Sequence, residues 1–191
     1  RNGTGQTLVP AGLAGVVRIA AGDGHNLALR SDGTVVAWGL DNYGQSAVPT
    51  GLSGVVNIAA GREHSLALKG DGTVVAWGRK DYGRSLAPGA LSGVVALSTH
   101  HAHSLALKSD GTVVAWGLNS KGQSTVPAGL SDVVGIVTGW EHSLALKGDG
   151  TVIGWGQNYD GQSTAPADLS GVVGIDAGGM HSLALKSDGT V

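Results

Sequence analysis

The chain has no cysteine and no phenylalanine in its 191 residues, and only one methionine. Without cysteine, disulfides and thiolate metal sites are excluded. Charge is scarce: 14% of residues are charged, and the formal net charge is -2. No Lys/Arg cluster stands out, which argues against a nucleic-acid backbone or an acidic membrane surface as the main partner. No apolar run approaches the roughly 20 residues of a membrane helix. A Gly-rich phosphate loop, a nucleophile elbow and paired carboxylates are all missing, so no enzyme class, metal or cofactor is expected. Helical periodicity is missing too. What the chain has is 34 glycines, with Val, Leu, Ile and Ala in regular blocks between them. Such blocks belong to a packed core, not to a disordered tract.

Those blocks repeat. "GREHSLALKGDGTVVAWG" has near copies along the whole chain, the last one cut short at "GGMHSLALKSDGTV". His25, His64, His103, His142 and His181 stand 39 residues apart, as do Trp38, Trp77, Trp116 and Trp155, with no insertion in any unit. A fixed period in tandem means a solenoid or a propeller. Within one unit, "GVVNIAAG" and "HSLALK" read as two short strands. "GDG" or "SDG" supplies a hairpin turn, because Asp-Gly tolerates positive φ. "TVVAWG" reads as a third strand and "GQSAVP" as a short fourth, its Pro suited to a strand end. In "HSLAL" both faces are apolar or small, the pattern of a strand buried on both sides. The expectation is an all-β, single-domain β-propeller over residues 1–191 with four-stranded blades. Its units are 1–39, 40–78, 79–117, 118–156 and 157–191.

Ring closure leaves two readings. Val191 holds the repeat position of Val35, so "VAWG" is missing from the last unit. Residues 1–10, with "GQTLVP", are expected to close a five-bladed ring as the fourth strand of the last blade. In that form a monomer is favoured. The alternatives are a portion of a larger ring, or an oligomer.

"AAGREHSLALKGDGTVVAWG" followed by "YGQS" resembles the regulator of chromosome condensation 1 repeat, and the resemblance covers the whole chain. The short units are most similar to the compact bacterial type of that family, which includes secreted propellers that inhibit a beta-lactamase. The resemblance implies a propeller and, as expectations, a bacterial, secreted protein that binds another protein.

The repeated residues read as scaffold. Each repeat His shares a face with two Leu, so it is expected to be a buried, hydrogen-bonded side chain. His100, His101 and His103 are the only local cluster with a zinc-like look, and no carboxylate or fourth ligand lies near them in sequence. The Asp-Gly positions, such as Asp71 and Asp110, read as turn chemistry. The four repeat Trp read as packing.

Function is expected where the copies differ. One variable loop lies just before each repeat His, and the second follows each "WG". In an up-and-down blade both emerge at the same end. The aromatics outside the repeat position fall in these loops: Tyr43, Tyr82, Trp140 and Tyr159. Arg62, Glu63, Arg79, His101, Glu141 and Met180 accompany them. Trp, Tyr and Arg are enriched at binding hot spots, and mixed charge suits a protein partner. The sequence therefore reads as a non-enzymatic, protein-binding scaffold using one loop face, with inhibition of a bacterial enzyme such as a beta-lactamase as its most concrete form. A glycan- or small-ligand-binding propeller and a purely structural module are the alternatives.

Overall fold

A computed structural model describes residues 2–89 and 91–191. Among these residues, fourteen strands form five antiparallel sheets in chain order. The first sheet holds β1 (Val16–Ala21), β2 (His25–Arg30) and β3 (Val35–Gly39). The next three repeat this plan with β4 (Val55–Ala60), β5 (His64–Lys69) and β6 (Val74–Gly78); β7 (Val94–Thr99), β8 (His103–Lys108) and β9 (Val113–Gly117); and β10 (Val133–Thr138), β11 (His142–Lys147) and β12 (Val152–Gly156). The last sheet has two strands, β13 (Val172–Ala177) and β14 (Ser182–Lys186). No helix among the described residues is long and apolar enough to cross a membrane.

Each sheet has the same register. In the second, Ser65 lies opposite Trp77 and Ala67 opposite Val75. The hairpin turns follow from their Asp-Gly pairs. Asp71 Oδ1 accepts from Thr73 N and Oγ1, and Gly72 takes φ 80°, a region glycine enters without a Cβ penalty.

The segment expected as a fourth strand does not form one. In "GQSAVP" the chain turns, with Ala47 N bonded to Gly44 O. The Gln45 side chain is fully buried, and the Gln45 backbone carbonyl accepts from Ser65 Oγ and from Trp77 Nε1 of the following sheet. Those bonds occupy an acceptor that a ladder would have used, so the segment acts as a connector.

The central strand of each unit is buried on both faces, as its composition requires. Leu27 and Leu29 point forward onto Val55, Ile58, Ala67 and Trp77 of the second unit. Leu66 and Leu68 do the same to Val94, Ala106 and Trp116, and Leu105 and Leu107 to Val133, Ala145 and Trp155. A fully buried Leu contributes about 1.5–3 kcal/mol, so these inter-sheet contacts dominate the stability. Each unit leans on the next, as in repeat architectures.

The repeat His residues reinforce that stacking. His25 Nε2 meets Ser65 Oγ at 2.9 Å, and His64–Ser104, His103–Ser143 and His142–Ser182 follow at 2.9–3.0 Å. Each of these hydroxyls donates its own proton elsewhere: Ser65, Ser143 and Ser182 to the carbonyls of Gln45, Gln123 and Gln162, and Ser104 to Thr99. The imidazole must therefore be the donor through Nε2–H, which fixes the neutral tautomer. Nδ1 of His25, His64, His103 and His142 is buried without a partner.

Residues 1–10 are expected to close the ring; among the described residues, no hydrogen bond joins residues 2–10 to the last sheet. Gln6 O accepts from Trp38 Nε1 and Asn26 Nδ2 of its own first unit, the role Gln45 plays for Trp77. First strands pack in series, β1 on β4, β4 on β7, β7 on β10 and β10 on β13, and no comparable packing joins β13 or β14 to β1. The end units are accordingly open: Ile19 is 79% exposed where Ile58 is 7%, and Leu185 is 44% exposed where Leu146 is 5%.

Candidate functional site: the variable loop face

The two variable loops of each unit are tied together by backbone bonds. Leu40 N donates to Gly24 O, Arg79 N to Glu63 O, Leu118 N to Ala102 O and Gln157 N to Glu141 O. The hairpin turns bond to the inter-unit connectors at the other end, as Val55 N does to Gly33 O. Variable and constant loops therefore occupy opposite ends of the array.

One row of contacts crosses the variable face from unit to unit. Arg62 Nε lies 3.6 Å from Asp23 Oδ2, and Arg62 Nη1 donates to His101 Nε2 at 2.9 Å. The guanidinium can only donate, so His101 receives it as a neutral ring. Burial, then the Arg62 charge, push the His101 pKa down, consistent with that state. His101 stacks at a tilt on Trp140, with 6.2 Å between ring centroids. Trp140 in turn lies over Gly179, where a Cβ would stand 3.1 Å from the indole, and the Trp140 backbone N–H donates to Gly179 O. Trp140 is 44% exposed. Its open indole is thus held from below by the next unit.

A second row runs through the loops after each "WG". Arg79 lies 4.5 Å over the Tyr43 ring, Arg84 5.4 Å from the Tyr82 ring and Lys121 5.2 Å from the Tyr159 ring. Cation–π contacts of this kind hold aromatic rings in place while leaving them partly open. Tyr82 and Tyr159 are largely exposed, and Tyr43 is less so.

Glu63 is different from its neighbours on the face. It is half-buried, and Oε2 accepts from Arg79 Nη1 at 2.7 Å and from Arg84 Nη1 at 2.8 Å. Burial pushes its pKa up, but the hydrogen bonds and charges of Arg79, then Arg84, outweigh this and hold it below the usual range. Glu63 therefore anchors two cations beneath the surface. Glu141 is half-buried, and Met180 is exposed.

Arg84 escaped the sequence reading. It replaces the Gln found at the same place in other units, Gln45, Gln123 and Gln162. Those Gln side chains accept from a loop N–H two residues earlier, as Gln45 Oε1 does from Tyr43 N. An arginine cannot accept. In this unit the loop instead forms a short 3-10 turn over Asp81–Gly83, with Tyr82 at φ 57°. The signal was present as "GRS" among "GQS". Lys121 and Asp23 were also missed, because their partners lie on neighbouring units.

The candidates for chemistry are used otherwise. His25, His64, His103 and His142 are buried in inter-unit bonds to serines, whereas His181, expected to be buried like them, is exposed. Among the described residues, no group of three or more His, Cys, Asp or Glu is placed to hold a metal, so the His100–His103 cluster is not such a site.

The model of the regulator of chromosome condensation (RCC1) repeat matches residues 16–45, 55–84, 101–123 and 133–162, more than half of the chain. The chain belongs to the RCC1 repeat family. A search of the curated proteins gives no match. Among solved structures, Prp20p of Saccharomyces cerevisiae, described with its binding to Gsp1p and histones, is similar at 26% identity and TM-score 0.77. That match covers 95% of this chain and 57% of Prp20p. The same yeast protein bound to Kap60 is similar at 26% identity and TM-score 0.77, covering 95% of this chain and 56% of that one. Human WBSCR16 shares the fold at 21% identity and TM-score 0.73, over 91% of this chain and 60% of its own. The chain thus spans somewhat over half the length of these structures. It is an all-β scaffold of the RCC1 propeller type, built from three-stranded antiparallel repeats.

Proposed function

We propose that the chain is a non-enzymatic scaffold that binds a protein partner through its variable loop face. One observation carries this reading: the open aromatics Tyr43, Tyr82, Trp140 and Tyr159 lie on one end, each braced from a neighbouring residue or unit. Rigid, partly open aromatics lose little side-chain entropy on binding, which is the physical profile of an anchor. Opposite charges alternate around them, which favours a protein surface over a polyanion. The binding of Gsp1p, histones and Kap60 by its yeast relative supports the same class of partner. The finer form of the reading is a secreted bacterial inhibitor in which the aromatics enter clefts of a target enzyme such as a beta-lactamase. The finer architecture is a propeller whose blades continue the same stacking around a ring.

A photo-crosslinking residue at Tyr82 or Trp140, compared with one at Asp110 in the constant turns, tests the face. Discrete adducts with one protein from the first two positions only are expected. Equal adducts from Asp110 would overturn the assignment. For the finer form, beta-lactamase turnover should fall with added chain and recover when Tyr82 and Trp140 are replaced by Ala.

A further inference from the structure

One loop of the variable face lacks an oxygen that its four counterparts contain. In those four a glutamine side chain closes the turn: Oε1 of Gln6, Gln45, Gln123 and Gln162 accepts from the N–H two residues earlier at 2.8–3.1 Å. Arg84 stands in that seat in the second unit. Its backbone keeps the role of the repeat, since Arg84 O accepts from Trp116 Nε1 at 3.1 Å as Gln45 O does from Trp77 Nε1 at 3.0 Å. Its side chain reverses the polarity of the seat, because a guanidinium has donors only. Two donors are therefore left over. The Tyr82 N–H, counterpart of the Tyr43 N–H, makes no hydrogen bond among the described residues. Arg84 is 5% exposed, and its Nε–H is buried without a partner. A buried donor left unpaired is costly, so the seat calls for an acceptor that the chain does not supply.

Charge asks for the same ligand. Glu63 Oε2 serves Arg79 and Arg84 at 2.7 and 2.8 Å, and Asp81 Oδ2 meets Arg79 at 2.8 Å. Lys80 is exposed beside them and forms no ion pair among the described residues. In residues 79–84 together with Glu63, three cations (Arg79, Lys80, Arg84) thus stand against two carboxylates (Glu63, Asp81). The Arg84 guanidinium lies 5.4 Å from the centroid of the Tyr82 ring, and that ring is 65% exposed. A group that moves the ring aside from solvent reaches Arg84.

We propose that this seat is a carboxylate-recognition site, filled by an Asp or Glu side chain of the protein partner. One carboxylate oxygen takes the place of the missing glutamine Oε1 at the Tyr82 N–H, and the other accepts from Arg84. A carboxylate suits the seat better than a neutral amide, because both of its oxygens accept and it cancels the surplus positive charge. The site belongs to the face read above as protein-binding and rests on that reading. It adds the chemistry that this loop selects: an acidic side chain on a segment that also covers Tyr82. A free small acid has the same carboxylate but covers nothing beyond the seat.

The test is a nuclear magnetic resonance titration of the whole isotope-labelled chain with capped hexaglutamate, capped hexaglutamine and acetate. Hexaglutamate should shift the Tyr82 N–H and Arg84 Nε–H resonances saturably. Hexaglutamine should shift neither, and acetate at equal carboxylate concentration should bind about tenfold or more weakly. Arg84→Gln restores the residue that closes the same loop in four other places, so it keeps the fold. It should abolish the Tyr82 shift and slow amide exchange there, because the N–H regains an internal acceptor. The crosslinked partner, once purified, should bind R84Q about tenfold or more weakly than the wild type. No shift with hexaglutamate, a Tyr82 shift that survives in R84Q, or acetate binding as tightly as the peptide overturns the carboxylate site and leaves the binding face intact. Absence of discrete crosslinks from Tyr82 and Trp140 while hexaglutamate still binds overturns the protein-partner reading, not the carboxylate seat.

Discussion

Lowering the pH should dismantle the stacking between units. His25, His64 and His103 are essentially inaccessible, and burial pushes their pKa down to about 4, 3 and 3. Burial also lowers that of His142. Each is already a donor through Nε2, and its Nδ1 is buried without a partner. A second proton would sit on Nδ1 with nothing to receive it. The folded pKa lies below the unfolded value near 6.5, so the unfolded chain binds more protons in between. Stability is then full above about pH 7 and falls as the pH drops towards the folded pKa values. At pH 5 each of the three costs about 2 kcal/mol relative to pH 7.5, roughly 6 kcal/mol together. That rivals the whole stability of an ordinary domain, about 5–15 kcal/mol. The assay is urea denaturation followed by far-UV circular dichroism between pH 7.5 and 5. The urea midpoint should drop steeply below pH 6.5, and His103→Gln should flatten the drop. A midpoint constant from pH 7.5 to 5 would refute the reasoning, because it would mean that the ring nitrogens are protonated or reach solvent in the fold.

Three further outcomes follow from the packing. Trp116→Ala should cost about 3–5 kcal/mol in denaturant titrations, because the ring is buried and donates to Arg84 O, whereas exposed Trp140→Ala should stay within about 0.5 kcal/mol. Glu63→Gln should destabilise by about 3 kcal/mol, since it leaves the buried Arg84 guanidinium without its counter-charge; a loss under about 0.5 kcal/mol would show the pair to be solvated. Asp132 takes φ 58° where the equivalent Gly15, Gly54, Gly93 and Gly171 stand, so Asp132→Gly should raise the melting midpoint slightly, by relief of up to about 1 kcal/mol.

Much of the fold was legible because the repeat exposes its own rules. The period placed every strand of "VVNIAA", "HSLALK" and "VVAWG" type, and two apolar faces on "HSLAL" required neighbours on both sides. The location of the variable loops at one end followed from strand alternation alone. The fourth strand was misread because "GQSAVP" has a strand-like apolar end, while the deciding feature, the use of the Gln45 carbonyl by Trp77 and Ser65, comes from the next unit. Closure is not legible in the sequence for a related reason. Every unit has the same local register in an open or a closed array, and the bond from Trp38 to Gln6 O, like that from Trp77 to Gln45 O, is made in either, so nothing local decides between them. On the face, residue types pointed to Tyr82 and Trp140, but nothing local showed that Glu63 would be sequestered by Arg79 and Arg84.

The most direct test of the central claim is the affinity of the crosslinked partner, once purified, for three forms of the chain. These are the wild type, the double variant Tyr82→Ala with Trp140→Ala, and the double variant Asp71→Asn with Asp110→Asn at the opposite end. Two anchors of about 2 kcal/mol each imply that the first variant loses about 1,000-fold in affinity. The turn variant should bind as the wild type does. Full affinity of the Tyr82/Trp140 variant, or a comparable loss from the turn variant, would contradict a function located on the variable loop face.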